Sequence, residues 1–358
     1  MNTKNTTQQF ETIIGVDLGD KKHAICVIDK QGEIQKEFFL RNCLNDLTKL
    51  ARDYPKARVA MEVGTYSPWT SRLLENAGME VLVANARKLR AIYTNERKCD
   101  QLDARMLAKI ARMDPELLHP IRHGSEQSQR DLLAIKMRSG LVRSRVAIIN
   151  SVRGTLKSLG VRLSSPSCTS FPTRARTLLD SEFPELLPAV EPSLQIVEEL
   201  NSRIKALDKA IAHTAQVQYP QTHKLQQIAG VGPITALSFV LAVEDPDRFK
   251  DVRDVGAWLG LVPRRDQFGN TDKQLPISKA GNPQLRTLLV QCAQYLLGHF
   301  GPDCDLRRYG LRLASRGGKA AKKKAVIAVA RKLAVLMLAM WQDQSDYEPL
   351  RIKKRKAA

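Results

Sequence analysis

The sequence predicts an α/β N-terminal domain built on a mixed sheet, followed by a mainly α arm with coiled-coil spacing and a mainly α C-terminal domain. Three observations lead there. Short apolar runs alternate with helical patterns through the first third of the chain. Beyond Glu126, apolar positions recur in steps of three and four. The chain has 358 residues, 43% of them apolar, enough to bury a sizeable core in two or three domains.

Taken in order, Ile13 to Asp17 reads as a buried strand, Leu18-Gly19-Asp20 as a tight turn, and Ala24 to Asp29 as a strand pairing back as a hairpin. Asp17 stands in an apolar run, where an acid is costly to bury unless it meets a cation or a hydrogen-bond donor. Gly32 to Leu40 alternates as a third strand, and Leu44, Leu47 and Leu50 mark a helix over 45–54. Arg58 to Gly64 is a strand with a second acid, Glu62; a helix over 69–77 and a strand over 79–85 follow. This order is compatible with an RNase H-like core. After the basic Arg87-Lys88-Leu89-Arg90 comes a helix with Leu102, Met106, Ile110 and Met113 in register, whose first turn projects Asp100 and Asp103 from one side. Two acids there also complement the helix dipole. Together with Asp17 and Glu62 they make four hard oxygen donors, a set that suits Mg²⁺ or Mn²⁺ and phosphodiester transfer.

Charge points to the partner. Lys and Arg number 57 against 37 Asp and Glu, a formal charge of +20, which predicts a polyanion, nucleic acid first. The helical stretch from Glu126 to Gly160 carries Arg143 and Arg145 among seven cations. Ser, Pro and Thr mark a loop over 163–175. Val197, Leu200, Ile204, Leu207 and Ile211 then form a coiled-coil seam for a two-helix arm, used for dimerisation, for gripping a backbone, or closed within the chain as an antiparallel hairpin. Gly230 and Gly232 lie in a turn between two helices, where backbone amides can approach a phosphate as in helix-hairpin-helix DNA binders. A helix is expected over 249–260, a polar basic loop over 264–275, and a helix capped by Asn282 and Pro283. An apolar helix then runs to Trp341, and a basic tail after it is expected to be disordered and to bind polyanion. The expected domains are therefore 1–120, 121–220, 221–345 and the tail 346–358.

Six cysteines without a Cys-x-x-Cys pair predict free thiols in a reducing compartment. With no apolar signal core at the N-terminus and no uncharged apolar run of spanning length, the expectation is a cytoplasmic protein with no membrane partner.

Gly15-Val16-Asp17, Glu62, Asp100-x-x-Asp103-Ala104, Gly230-Val231-Gly232-Pro233, Gly260-Leu261-Val262-Pro263 and Ile277-Ser278-Lys279-x-Gly281-Asn282, in that order, resemble the DEDD-type insertion-sequence transposases. That family is related to the Piv invertase and contains the bridge-RNA-guided recombinases. The resemblance implies a RuvC-like, RNase H-fold domain, a coiled-coil arm and a transposase domain. It further implies catalytic, metal-binding carboxylates at Asp17, Glu62, Asp100 and Asp103, with DNA as substrate, a structured guide RNA and a dimer or tetramer as partners. The family also carries a nucleophilic serine in a Ser-Gly pair, where this chain has Phe268, and a phenyl ring cannot attack a phosphate. Ser278 or Thr271 would supply the hydroxyl instead, or this copy has lost strand exchange and only binds nucleic acid. Arg264, Arg265 and Lys279 would contact phosphate in each case. A Holliday-junction-type or RNase H-like nuclease, with water as nucleophile, is the rival enzyme.

Overall fold

Residues 10–89, 99–164, 167–269 and 271–351 are described in the computed structural model, and their contacts divide the chain into two units, Met1–Gly124 and Ser125–Ala358. In the first unit β1 (Thr12–Asp17), β2 (Lys22–Asp29) and β3 (Ile34–Arg41) follow one another through short turns and pair antiparallel. Helices α1 (Leu44–Asp53) and α2 (Ser67–Asn76) precede β4 (Arg58–Glu62) and β5 (Glu80–Ala84), and crossovers of that length return the chain for parallel pairing. The sheet order is β3-β2-β1-β4-β5.

Alternation assigns the faces. Ile14, Val16, Ile25, Val27, Val59 and Met61 pack against Leu50 of α1 and Leu74 of α2. Ile13, Ala24, Cys26, Ile28 and Ala60 pack against Ala104, Leu107 and Ala108 of α3 (Asp100–Met113). Helices cover both faces of β1, β2 and β4, which is why these strands read as nearly continuous apolar runs, whereas β3, at the sheet edge and largely exposed, alternates. The mixed sheet expected from the sequence is present, with strand ends displaced by one or two residues.

The second unit is mostly helical. Helices α4 (Glu126–Ser158) and α6 (Leu187–Gln218) run antiparallel, tied by Arg138 to Asp208 at 2.8 Å and by Arg145 Nη1 to Asn201 Oδ1 at 2.7 Å. Val197, Ile204 and Ile211 of the predicted seam are buried inside this one chain, where the two helices pack as an antiparallel hairpin. The loop expected over 163–175 gives way at Phe171 to α5 (Phe171–Glu182): Pro172 occupies its first turn, and Phe171, Ala175 and Leu179 are buried.

Next come α7 (Gln221–Gln226), α8 (Pro233–Val243) and α9 (Asp254–Trp258). The helix expected over 249–260 is cut to the five residues of α9, because Asp251 accepts from the amide of Arg253 and turns the chain just before it. Where a polar loop was expected, β6 (Pro263–Phe268) and β7 (Thr271–Ile277) form an antiparallel ribbon. Then follow α10 (Pro283–Leu297), α11 (Asp305–Ala314) and α12 (Gly318–Gln342), which enclose the main core with α8. By length and composition α12 could cross a membrane, with a mean hydropathy of 1.6, but Val329, Leu333, Met337 and Leu338 lie in that core. The start of the basic tail is ordered, because Tyr347 N donates to Gln227 and Asp305 N to the Pro349 carbonyl, each at 2.8 Å. Residues 352–358 lie outside those described.

Candidate active site

Asp17 is the last residue of β1 and Glu62 the last of β4. These strands are parallel neighbours whose final register pair is Val16 with Met61, so both acids leave the same edge of the sheet side by side. Period-two alternation puts Asp17 with Gly15, and Glu62 with Ala60, on the face that α3 covers. Asp17 is thus a half-exposed strand-end residue rather than an acid buried within a strand, and the desolvation cost anticipated for it is largely avoided.

The path of α3 brings the second pair of acids to that edge. A Cβ on Gly15 would stand 1.9 Å from the carbonyl oxygen of Ala104 and 2.7 Å from the amide of Ala108, so helix backbone rests directly on strand backbone where only glycine fits. The C-terminal end of α3 is held over the opposite edge: Arg58 Nη1, at the start of β4, donates to the Ala111 carbonyl at 3.2 Å, and Arg112 Nη1 to Lys30 O at 3.3 Å. The helix therefore runs counter to β1. Asp103 and Asp100 extend roughly 2–6 Å past Ala104, as Asp17 lies roughly 7 Å past Gly15. A bidentate pair between Arg105 and Glu37 of β3 fixes the rotation of α3, and the Arg105 hydrogen bond holds the Glu37 carboxyl below its ordinary pKa.

As a donor set the four carboxylates fit a hard divalent cation, being all oxygen and on one edge and face. Among the described residues no group of three or more His, Cys, Asp or Glu side chains is placed to hold a metal ion. Sequence reasoning missed two features of this edge. Tyr66 donates to Asp20 of the β1–β2 turn at 3.2 Å, which raises the phenol pKa. Ser67, just after β4, bonds His123 Nε2 at 2.9 Å, and burial lowers the pKa of that imidazole. No periodic pattern marks either pair.

The hydroxyl candidates lie in the second unit. Phe268 and Thr271 face each other as the last register pair of the ribbon; Phe268 is 88% exposed and Thr271 is also exposed. Ser278 follows β7, half-buried, its amide donating to Val262 O at 2.9 Å and its Oγ accepting a long 3.4 Å bond from Ala280 N. Lys279 N donates to Gly260 O, and Gly260, at φ +68°, leaves no room for a Cβ, which would lie 2.2 Å from Ala280 N. Arg286 Nη1 clamps both segments through the Leu259 and Ala280 carbonyls. The Ser278–Lys279 turn is therefore tied to the Leu259–Val262 segment.

The predicted phosphate contacts separate by environment. Arg143 and Arg264 are exposed, Arg265 is paired with Asp272 at 2.5 Å, and Arg145 is committed to Asn201 between the helices. Gly230 packs against the ring of Tyr295, whereas the flank of Gly232, the N-cap of α8, is open.

Two family models match. One, described as a transposase of DEDD type, covers residues 14–160, and one described as "Transposase IS116/IS110/IS902 family" covers residues 222–309. The chain is 30% identical over 346 residues to the transposase for insertion sequence element IS1111A of Coxiella burnetii, covering 94% of this chain and 91% of that one. It is 26% identical to a probable family 20 transposase of Pseudomonas aeruginosa, over 94% and 98% of the two chains. To the transposase for IS1328 of Yersinia enterocolitica it is 29% identical over 79% and 83%.

Proposed function

The chain belongs to the IS116/IS110/IS902 family of insertion-sequence transposases, and from that premise we propose that it cuts and rejoins DNA with a RuvC-like, RNase H-fold carboxylate centre in its first unit and a hydroxyl nucleophile in its second. That it is a DNA transposase follows from the family; the residue roles are our reading. The observation that carries them is the arrival of Asp17, Glu62, Asp100 and Asp103 at one edge and one face of the sheet, from two parallel strands and the helix lying across them. Supporting the fold assignment are the three antiparallel strands followed by two parallel ones.

Asp17, Glu62, Asp100 and Asp103 would hold Mg²⁺ or Mn²⁺, which, when bound, polarises a phosphate oxygen and stabilises the leaving oxygen. The four carboxylates would hold that ion at the sheet edge; being anionic, they do not themselves contact the phosphate. Ser278 Oγ attacks phosphorus, its proton leaves to solvent, and one P–O(sugar) bond breaks, leaving DNA joined to the serine and a free sugar hydroxyl. A second reading, Thr271, is favoured by its exposure at the ribbon tip beside Phe268. Gly230, Gly232, Arg143, Arg264, Arg265 and Lys279 would meet phosphate, with a dimer or tetramer and a structured guide RNA completing the assembly. We place the protein in the cytoplasm.

Covalent capture tests this. Labelled element-end DNA with Mg²⁺ should give a denaturant-resistant adduct that Ser278→Ala abolishes. Loss in Thr271→Ala alone transfers the role to Thr271. Free 5′-phosphate ends with no adduct would overturn covalent strand exchange in favour of a water-using nuclease.

A further inference from the structure

We propose that the β6–β7 ribbon is a DNA-reading finger whose tip residue, Phe268, stacks on a base displaced from the duplex. This rests on the DNA reading above but assigns a role to the very residue that departs from the family pattern.

All six residues of β6 are exposed, as are Thr271 to Gln274 of β7, so no core covers the distal ribbon on either face. A bare two-stranded ribbon is marginal in water. This one is held by the Arg265–Asp272 ion pair and by its base, where Ser278 N bonds Val262 O. Such a ribbon has the width that the major groove admits. At its tip the sequence Phe268-Gly269 puts a phenyl ring at a turn where small polar residues are the usual choice. Nothing among the described residues packs over it, since the ring is 88% exposed and its register partner is Thr271. An apolar wedge of this kind is how proteins unstack a base step.

The surroundings select nucleic acid as the occupant. A register shift between Pro263 and Arg265 marks a bulge at Arg264, a device that re-aims a side chain. At the ribbon base, Gln274 to Ile277 line a mostly apolar cavity of about 1100 Å³, walled also by Leu306, Ile327 and Val335, which Lys323, Lys324, Arg331 and Lys332 border, against Asp305 and Glu348. A phosphate backbone held by those cations would leave the ring to reach the bases.

The test compares the full-length protein with Phe268→Ala and Phe268→Trp on two DNA duplexes, one fully paired and one with a single unpaired base labelled by 2-aminopurine. The wild type should prefer the unpaired-base duplex and quench the label. Phe268→Ala should bind that duplex about 5- to 100-fold more weakly and lose the quenching, with its affinity for the paired duplex and its salt dependence unchanged, while Phe268→Trp keeps both. Phe268→Ala with the wild-type preference and quenching overturns the proposal while leaving the transposase reading intact. A preference seen only with the RNA versions of these duplexes overturns the commitment to DNA, and failure of the wild type to bind either DNA duplex overturns both readings.

Discussion

His23 is the residue at which the N-terminal sheet is most exposed to pH. It is fully buried in β2, and neither ring nitrogen has a hydrogen-bond partner among the described residues. Burial holds its pKa below the ordinary 6.5, and the side chain of Asn42, nearby but outside hydrogen-bonding geometry, offsets part of that shift. The folded state thus resists a proton that the unfolded chain accepts near 6.5. The stability due to a neutral His23 is full above that pH and is lost as pH falls through the lowered folded value. Urea midpoints of the whole protein should decline between pH 7 and 5, and His23→Leu should flatten the decline. A His23→Leu slope equal to that of wild type would locate the sensitivity elsewhere, His123 being a half-buried imidazole whose pKa is also lowered by burial. His23 was not among the residues singled out from sequence, because a histidine in an apolar strand carries no signal of whether it is partnered.

Among the elements, α3 decides whether there is a site at all. Its Asp100 and Asp103 reach the edge occupied by Asp17 and Glu62 only because Gly15 lets two backbones touch. Gly15→Ala would drive a methyl into the Ala104 carbonyl, and backbone cannot give as a flexible side chain can. We expect a loss of about 1–3 kcal/mol or more in stability, with DNA cleavage lost beyond what the stability change explains. Wild-type stability and cleavage in Gly15→Ala would show that α3 does not rest on β1 as described. The acids themselves were legible in sequence, since each strand acid follows an apolar run and Asp100 and Asp103 sit three apart. Their sharing an edge and a face was not, because it depends on the parallel register of β1 with β4 and on the direction of α3. The β6–β7 ribbon was hidden for a different reason: with every residue of β6 exposed, there is no apolar alternation to read. The seam of α6 was visible as a period, but a period does not say whether the partner helix belongs to the same chain.

For the molecule as a whole, the proposed chemistry is divided between two units: carboxylates in Met1–Gly124, and hydroxyls, glycine turn and ribbon in Ser125–Ala358. The first family match, over residues 14–160, runs past the boundary at Gly124, and the second, over 222–309, lies within the second unit. On this division we propose that Asp17, Glu62, Asp100 and Asp103 form one metal centre. Electron paramagnetic resonance of Mn²⁺ titrated into the full-length protein with its DNA tests it most directly. We predict saturable binding of one or two ions in the wild type, lost in Asp17→Ala and equally in Asp103→Ala, with circular dichroism unchanged in both. Undiminished Mn²⁺ binding in either variant would contradict the claim.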